Sequence, residues 1–249
     1  WRTSMTELWL IGIGTGHPQH ITLEGQEALR RAAAILLPRK GTGKEDLAHL
    51  REAIIADAGA SARVIPFQMP VRDEALPYAA RVAAWHDAIA ARWVDALQTA
   101  PEGPVALLIW GDPGLYDSTL RIAARLDPAP KVRVIPGITS LQALTAAHAI
   151  PFNTVNGAVT VTTGRQLRDH GWPQGAETLV VMLDGQCSFQ GLEPDGTHIW
   201  WGAFLGMPEQ VLEAGPLADA TPHILRTRHA ARAAHGWIMD TYLLRRGAP

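Results

Sequence analysis

The sequence predicts an α/β protein of two units: a mainly parallel sheet covered by helices, followed by a more β-rich α/β unit. Three observations carry this prediction. Short apolar runs alternate with longer helical patterns through the first half. Several of those runs are continuous rather than alternating, as strands buried on both faces require. After the Pro136-Gly137 pair the pattern changes to strands joined by shorter connections.

In chain order, strands are expected at Leu8 to Gly14, Ala34 to Pro38, Arg63 to Phe67, Val105 to Trp110 and Val132 to Ile135. Helices are expected between them at Leu23 to Ala33, Lys44 to Ala58, Glu74 to Thr99 and Ser118 to Leu126. The stretch through Trp85 and Trp93 reads as a long amphipathic helix suited to burial or to a dimer face. A helix from Ser140 to Ala149 opens the second unit. Its strands are expected at Ala158 to Thr163, Thr178 to Leu183, His198 to Leu205, His223 to Arg226 and Trp237 to Leu244. The boundary falls near residue 137, giving units 5–137 and 138–249. Trp1 to Ser4 precede Met5 and read as a fusion scar or upstream extension, outside the fold argument.

With 47% hydrophobic and 18% charged residues, the 249-residue composition is that of a folding globular enzyme rather than a disordered chain. A net charge of −2 gives no basic field for nucleic acid, so a small-molecule partner is favoured. Cys187 is the single cysteine, which excludes an intrachain disulfide and a cysteine-rich metal site and suits a reducing cytoplasm. No metal is expected. No apolar run approaches the length of a membrane span, and no signal peptide opens the chain.

Three glycine turns follow strands. Ile11-Gly12-Ile13-Gly14-Thr15-Gly16-His17-Pro18 precedes a helix capped by Thr22, and its glycines permit either a ligand-facing turn or a tight strand-to-helix turn. A dinucleotide fingerprint would need a sixth-position glycine where His17 stands and an acid after the next strand, which reads Pro38-Arg39-Lys40. An NAD(P)-dependent oxidoreductase is therefore the weaker alternative. Trp110-Gly111-Asp112-Pro113-Gly114-Leu115-Tyr116-Asp117-Ser118 is ordinary turn chemistry alone, yet at a strand's carboxyl end it would line the same crevice. In Pro136-Gly137-Ile138-Thr139-Ser140, a hydroxyl can cap the next helix while leaving amides free for a ligand.

Taken in order and at these separations, the three motifs resemble the tetrapyrrole methylase family. The resemblance spans residues 5 to 246 and includes the segments from Lys40 to Leu47, Trp110 to Leu120 and Gly202 to Gly206. It implies a two-domain tetrapyrrole methylase-like fold with the active site in the cleft between domains, a homodimer, and S-adenosylmethionine as methyl donor. It also implies methylation of precorrin-5 at C-1 with loss of acetate during cobalamin biosynthesis; a different precorrin carbon or uroporphyrinogen is the alternative. The implied cofactor contacts are Trp110, Gly111, Asp112, Tyr116, Thr139, Ser140, Met182, Leu183, Gly202 and Ala203, with Ala234 and His235 as weaker candidates. Two departures stand out. His17 occupies a position where most members carry Asp, and Val181 to Gly185 is one residue longer than the usual Met-Gly pattern.

Methyl transfer from a sulfonium needs alignment and exclusion of water rather than a side-chain nucleophile. Loss of acetate needs water delivered to an acyl carbon, for which His17, His20 or Asp112 could act as base. A carboxylate-rimmed substrate calls for cations and close backbone approach. Gly14, Thr15, Gly16 and Pro18 in the first turn are the candidates for approach, and Arg39, Lys40, Lys44 and Arg165 for charge. The Arg226, Arg228 and Arg232 group reads as surface. Trp200-Trp201 fits packing better than the floor of a macrocycle site.

Overall fold

The computed structural model describes residues 7–39 and 45–247. The chain divides into two compact units, Trp1–Thr139 and Ser140–Pro249. Strands β1 (Glu7–Gly12), β2 (Ala34–Arg39), β3 (Arg63–Gln68), β4 (Val105–Ile109) and β5 (Lys131–Ile135) form one parallel sheet in the order β3-β2-β4-β1-β5. Helices α1 (Leu23–Arg31), α2 (Glu45–Asp57), α3 (Tyr78–Thr99) and α4 (Thr119–Ala123) connect them.

The continuous apolar strands serve two cores. One side chain set of β1, Trp9 and Ile11, packs with Ile35, Leu108, and the α1 and α2 residues Leu29, Ile54 and Ile55. The alternate set, Leu8 and Leu10, packs with Leu36, Leu107, and the α3 and α4 residues Ile89, Trp93 and Ile122. Period-2 strands thus bury both faces, with α1 and α2 on one and α3 and α4 on the other. This arrangement fixes the ligand crevice. Helices leaving neighbouring strands toward opposite faces open a gap at the strands' carboxyl ends, and here β4 meets that condition with both β1 and β2.

Two helices are shorter than the sequence pattern suggests. Residue 76 precedes Pro77, which biases it away from helical backbone, so α3 starts at Tyr78 with Pro77 at its N-cap. The segment after Ser118 is helical only to Ala123 and ends in a turn before Asp127.

In the second unit, α5 (Ser140–His148) precedes β6 (Val159–Thr163), α6 (Gly164–His170), β7 (Thr178–Met182), β8 (Thr197–Ala203), β9 (Val211–Pro216), α7 (Leu217–His235) and β10 (Asp240–Arg246). The sheet order is β6-β7-β10-β8-β9, with β6 and β7 parallel and the other pairs antiparallel. The strand expected at His223 to Arg226 is instead part of α7. Leu217, Ala220 and Ile224 are its buried residues, a helical spacing that packing rewards over the local β-like run after Pro222. Of the arginine group, Arg226 and Arg232 are exposed as expected, and Arg228 needs correction. Arg228 is inside, its side chain only 11% exposed, and its Nε donates to Asp240 at 2.8 Å. Trp201 Nε1 donates to the same carboxylate at 3.0 Å, so Asp240 is neutralised and hydrogen-bonded where it is buried. Trp200 and Trp201 are buried in β8.

Among the described residues, no helix is long and apolar enough to cross a membrane. Nor, among the described residues, does any cluster of three or more His, Cys, Asp or Glu residues offer to hold a metal ion. Cys187 is buried, and burial raises its thiol pKa, as an inert cysteine requires.

Candidate functional site

The three glycine turns meet at the carboxyl ends of β4, β1 and β5. The register places Gly12 beside Ile109 and Ile11 beside Ile135, so the segments that follow emerge together. Gly14 and Gly111 then form an isolated bridge, with Gly111 N–H donating to the Gly14 carbonyl at 2.7 Å. The approach is so close that side chains are excluded. A Cβ on Gly137 would lie 2.1 Å from the Gly111 carbonyl oxygen and 2.8 Å from the Gly12 backbone. One on Gly12 would lie 2.6 Å from the Gly137 nitrogen. Gly111 itself has φ +64°, the left-handed region that favours glycine.

Asp112 ties this assembly together. Its Oδ1 accepts the Gly114 N–H at 2.7 Å, and its Oδ2 accepts the Gly137 N–H at 2.9 Å. One carboxylate therefore holds its own turn and joins it to the turn after β5, which makes Asp112 a positioning group. Tyr116, exposed and at φ +48°, marks the far side of the same turn. Next to Gly111 lies Thr139, whose Cα is 3.6 Å from where a Gly111 Cβ would stand. Ser140 opens α5, and its Oγ is buried with no hydrogen-bond partner. Trp110 Nε1 is likewise buried and unpartnered. Polar atoms left in this state cost free energy unless something else satisfies them.

The first turn is rigid. Thr15 is buried, and its Oγ1 lies 3.1 Å from His20 Nδ1. A Cβ on Gly14, at φ +76°, would strike the His20 Cβ at 2.4 Å. Gly16 is also in the left-handed half of backbone space, at φ +131°. Burial, with a smaller contribution from His17, lowers the His20 pKa and keeps its imidazole neutral at pH 7. His17 is exposed and caps the short 3-10 turn Pro18–His20, its Nδ1 accepting the Gln19 N–H at 3.1 Å. An accepting Nδ1 puts the neutral ring's proton on Nε2, so the outward nitrogen of His17 is a donor rather than a base.

The remaining candidates lie on other elements of the two units. Arg39 ends β2 and is ion-paired with Glu52, so its charge is already met. Lys40 and Lys44 lie outside the described residues, as does most of the Lys40 to Leu47 segment. Arg165 is exposed in the first turn of α6. Met182 ends β7, and Leu183 follows it at φ +54° with 66% of its surface exposed. Asp184 holds that exposed leucine in place by accepting from Tyr242 Oη at 2.6 Å, Ser188 N–H at 2.6 Å and Ser188 Oγ at 2.8 Å. Sequence reasoning did not single out Asp184 or Tyr242 as supports. Burial and Asp184 both raise the Tyr242 pKa, so it stays a donor. Gly202 and Ala203 are buried inside β8, paired with β10 on one side and β9 on the other. A Cβ on Gly202 would crowd Leu205 and Leu144, which gives that glycine a packing reason. Ala234 and His235 end α7, where His235 packs on Phe204.

Comparison with known proteins adds an independent line. The family described as Tetrapyrrole (Corrin/Porphyrin) Methylases matches residues 7–221. The chain is 44% identical to the Precorrin-6A synthase [deacetylating] of Sinorhizobium sp, over 98% of its own length and 97% of that protein's. A solved cobalamin-synthesis-related protein from Corynebacterium diphtheriae superposes with a TM-score of 0.84 at 38% identity, covering 98% of this chain and 100% of that one. The uroporphyrin-III C-methyl transferase of Thermus thermophilus, solved in complex with S-adenyl homocysteine, matches at TM-score 0.57 and 17% identity, over 96% of this chain and 92% of that one. That last likeness is one of fold.

Proposed function

Because the chain belongs to the tetrapyrrole (corrin/porphyrin) methylase family, we propose that it transfers the methyl group of S-adenosylmethionine to C-1 of precorrin-5 and releases acetate, yielding precorrin-6A. The single observation that carries the specific reaction is the 44% identity, end to end, with a deacetylating precorrin-6A synthase. The convergence of the glycine turns supports the cofactor assignment, since their backbones approach too closely for side chains at Gly12 and Gly137, and the turns after β4 and β5 carry the buried, unpartnered Trp110 Nε1 and Ser140 Oγ.

On the glycine turns, the residues to hold S-adenosylmethionine are Trp110, Gly111, Asp112 and Tyr116 after β4 and Thr139 and Ser140 after β5; the family resemblance adds Met182 and Leu183 after β7. Bound there, the cofactor supplies a methyl group on a sulfonium, whose displacement needs in-line alignment and little else. The chain's own residues provide that alignment. Asp112 fixes two turns at once, so the amides of this loop are preorganised and need not be ordered on binding. Gly14, Thr15, Gly16 and Pro18 line the approach of the substrate. For loss of acetate, His20 is the base: its imidazole is neutral at pH 7, and in the tautomer that donates from Nδ1 to Thr15 Oγ1 its Nε2 takes a proton from the attacking water. The enzyme works as a homodimer, as the family resemblance implies, in the reducing cytoplasm that suits its single buried thiol.

Product analysis tests this reading. Incubation with S-adenosylmethionine and precorrin-5 is expected to yield a methylated, acetyl-depleted corrin and free acetate in equal amounts, by mass spectrometry. A methylated product that retains the acetyl group, or turnover only of another precorrin or of uroporphyrinogen, contradicts it.

A further inference from the structure

At the carboxyl edge of the first sheet, β2 and β4 separate. Their pairing stops at Leu36 with Leu107, whereas β2 stays with β3 as far as Arg39 and Gln68. Pro38 offers no N–H to either neighbour. Arg51 of α2 reaches β4 here, its Nε donating to the Leu108 carbonyl at 3.3 Å and its Nη1 to the Leu47 carbonyl at 3.4 Å. The guanidinium carbon lies 5.0 Å from the centre of the Trp110 ring.

These are long bonds to neutral acceptors, and among the described residues no carboxylate lies within ion-pair distance of Arg51. The acids nearby are committed elsewhere. Glu52 is paired with Arg39, and Asp117 Oδ1 accepts the Thr119 N–H at 2.6 Å. Burial lowers the Arg51 pKa to about 10, with Asp117 opposing, so the group is still charged at neutral pH. Arg245 shows a contrasting case in the same chain. It is also buried, but donates to Thr178 Oγ1, Pro151 O and Phe152 O at 3.1, 3.0 and 3.2 Å. Arg245 is a satisfied structural cation. Arg51 is part-buried, and among the described residues only its Nε and Nη1 donate hydrogen bonds. A part-buried guanidinium whose charge is met only by the Trp110 ring and by Asp117 beyond ion-pair distance gains from an anion that binds it directly.

We propose that Arg51, braced on the Trp110 ring, receives a carboxylate of the substrate. The inference rests on the methyltransferase reading above. A planar guanidinium held on an aromatic face presents its fork in one orientation, which suits bidentate capture of a carboxylate. Trp110 belongs to a turn assigned to the cofactor, whereas Arg51 bonds β4 on its β2 flank, away from β1 and β5, and that flank is assigned to the substrate. Arg39 at the end of β2 cannot serve in its place, because Glu52 already neutralises it.

Arg51→Gln and Arg51→Lys, assayed beside the wild type, test this. The measurements are KM and kcat with precorrin-5 and the affinity for S-adenosylhomocysteine by calorimetry. Arg51→Gln is expected to raise KM about tenfold or more, as loss of uniform substrate binding does, while leaving S-adenosylhomocysteine affinity within about twofold. Arg51→Lys keeps the charge but loses the fork, and falls between. Should Arg51→Gln fail to fold, Arg51→Lys decides on the same criterion. A KM within about twofold of wild type overturns the proposal, as does a parallel loss of S-adenosylhomocysteine affinity, which would give the guanidinium to the cofactor. A wild type that binds no S-adenosylhomocysteine and transfers no methyl group overturns the functional reading itself.

Discussion

Gly137→Ala is expected to abolish S-adenosylhomocysteine binding and to destabilise the first unit by about 3 kcal/mol or more, at the upper end of overpacking costs. The reason is that everything the new methyl group meets is backbone. It would stand 2.1 Å from the Gly111 carbonyl oxygen and 2.8 Å from Gly12, and neither can rotate away. The turns after β1, β4 and β5 must then separate, which breaks the Gly14–Gly111 bridge and the Asp112–Gly137 hydrogen bond together. Gly191→Ala is the matched control, since nothing lies within 4 Å of its Cβ position and its stability change should stay within about 0.5 kcal/mol. Thermal unfolding and calorimetry on both variants give the comparison. A Gly137→Ala protein with wild-type melting and affinity would contradict the close approach.

Asp112→Ala is expected to leave the fold intact but to weaken S-adenosylhomocysteine binding by at least about tenfold. Two amides, Gly114 N–H and Gly137 N–H, lose a charged acceptor, and hydrogen bonds to charged groups are each worth about 1.5–3 kcal/mol. Asp112→Asn should recover only part of the loss, because its amide nitrogen confronts one of those two donors. The same variants separate positioning from proton transfer. If Asp112 were the base for acetate loss, turnover would fall while S-adenosylhomocysteine affinity held, and that result would contradict the holding role assigned to its two occupied oxygens.

The sequence made the sheet of the first unit legible for a physical reason. Strands buried on both faces must be continuous apolar runs, and Leu8 to Ile13 or Val105 to Ile109 can be little else. The glycine turns were legible because close backbone approach leaves a residue signature, and Gly12, Gly111 and Gly137 occupy the positions where a Cβ has no room or φ is positive. Elements set by tertiary contact left no such signature. β9, which contains Glu213, Gly215 and Pro216, is an edge strand recruited by β8. α7 runs through Pro222, a residue that ordinarily interrupts a helix, because Leu217, Ala220 and Ile224 have a core to bury against. α6, of seven residues, is too short for periodicity to declare it.

The charges of the site were the least legible part. Arg39 follows a strand just as a ligand-binding cation would, but its neutralisation depends on Glu52, thirteen residues on, folding back beside it. Arg51 sits in an unremarkable helical stretch, and its significance arises only from the splaying of β2 from β4 and from the ring of Trp110. The His17 and His20 pair was visible as a pair, whereas the contact each ring makes, with Gln19 N–H and with Thr15 Oγ1, was not.

Amide hydrogen exchange with and without S-adenosylhomocysteine tests most directly whether the turns after β4 and β5, joined by Asp112, form one preorganised cradle for S-adenosylmethionine. Added protection is expected only in peptides covering residues 110–116 and 137–140, together with the turn around Leu183. Unchanged exchange in these segments under saturating ligand, or protection elsewhere in the chain, would contradict it.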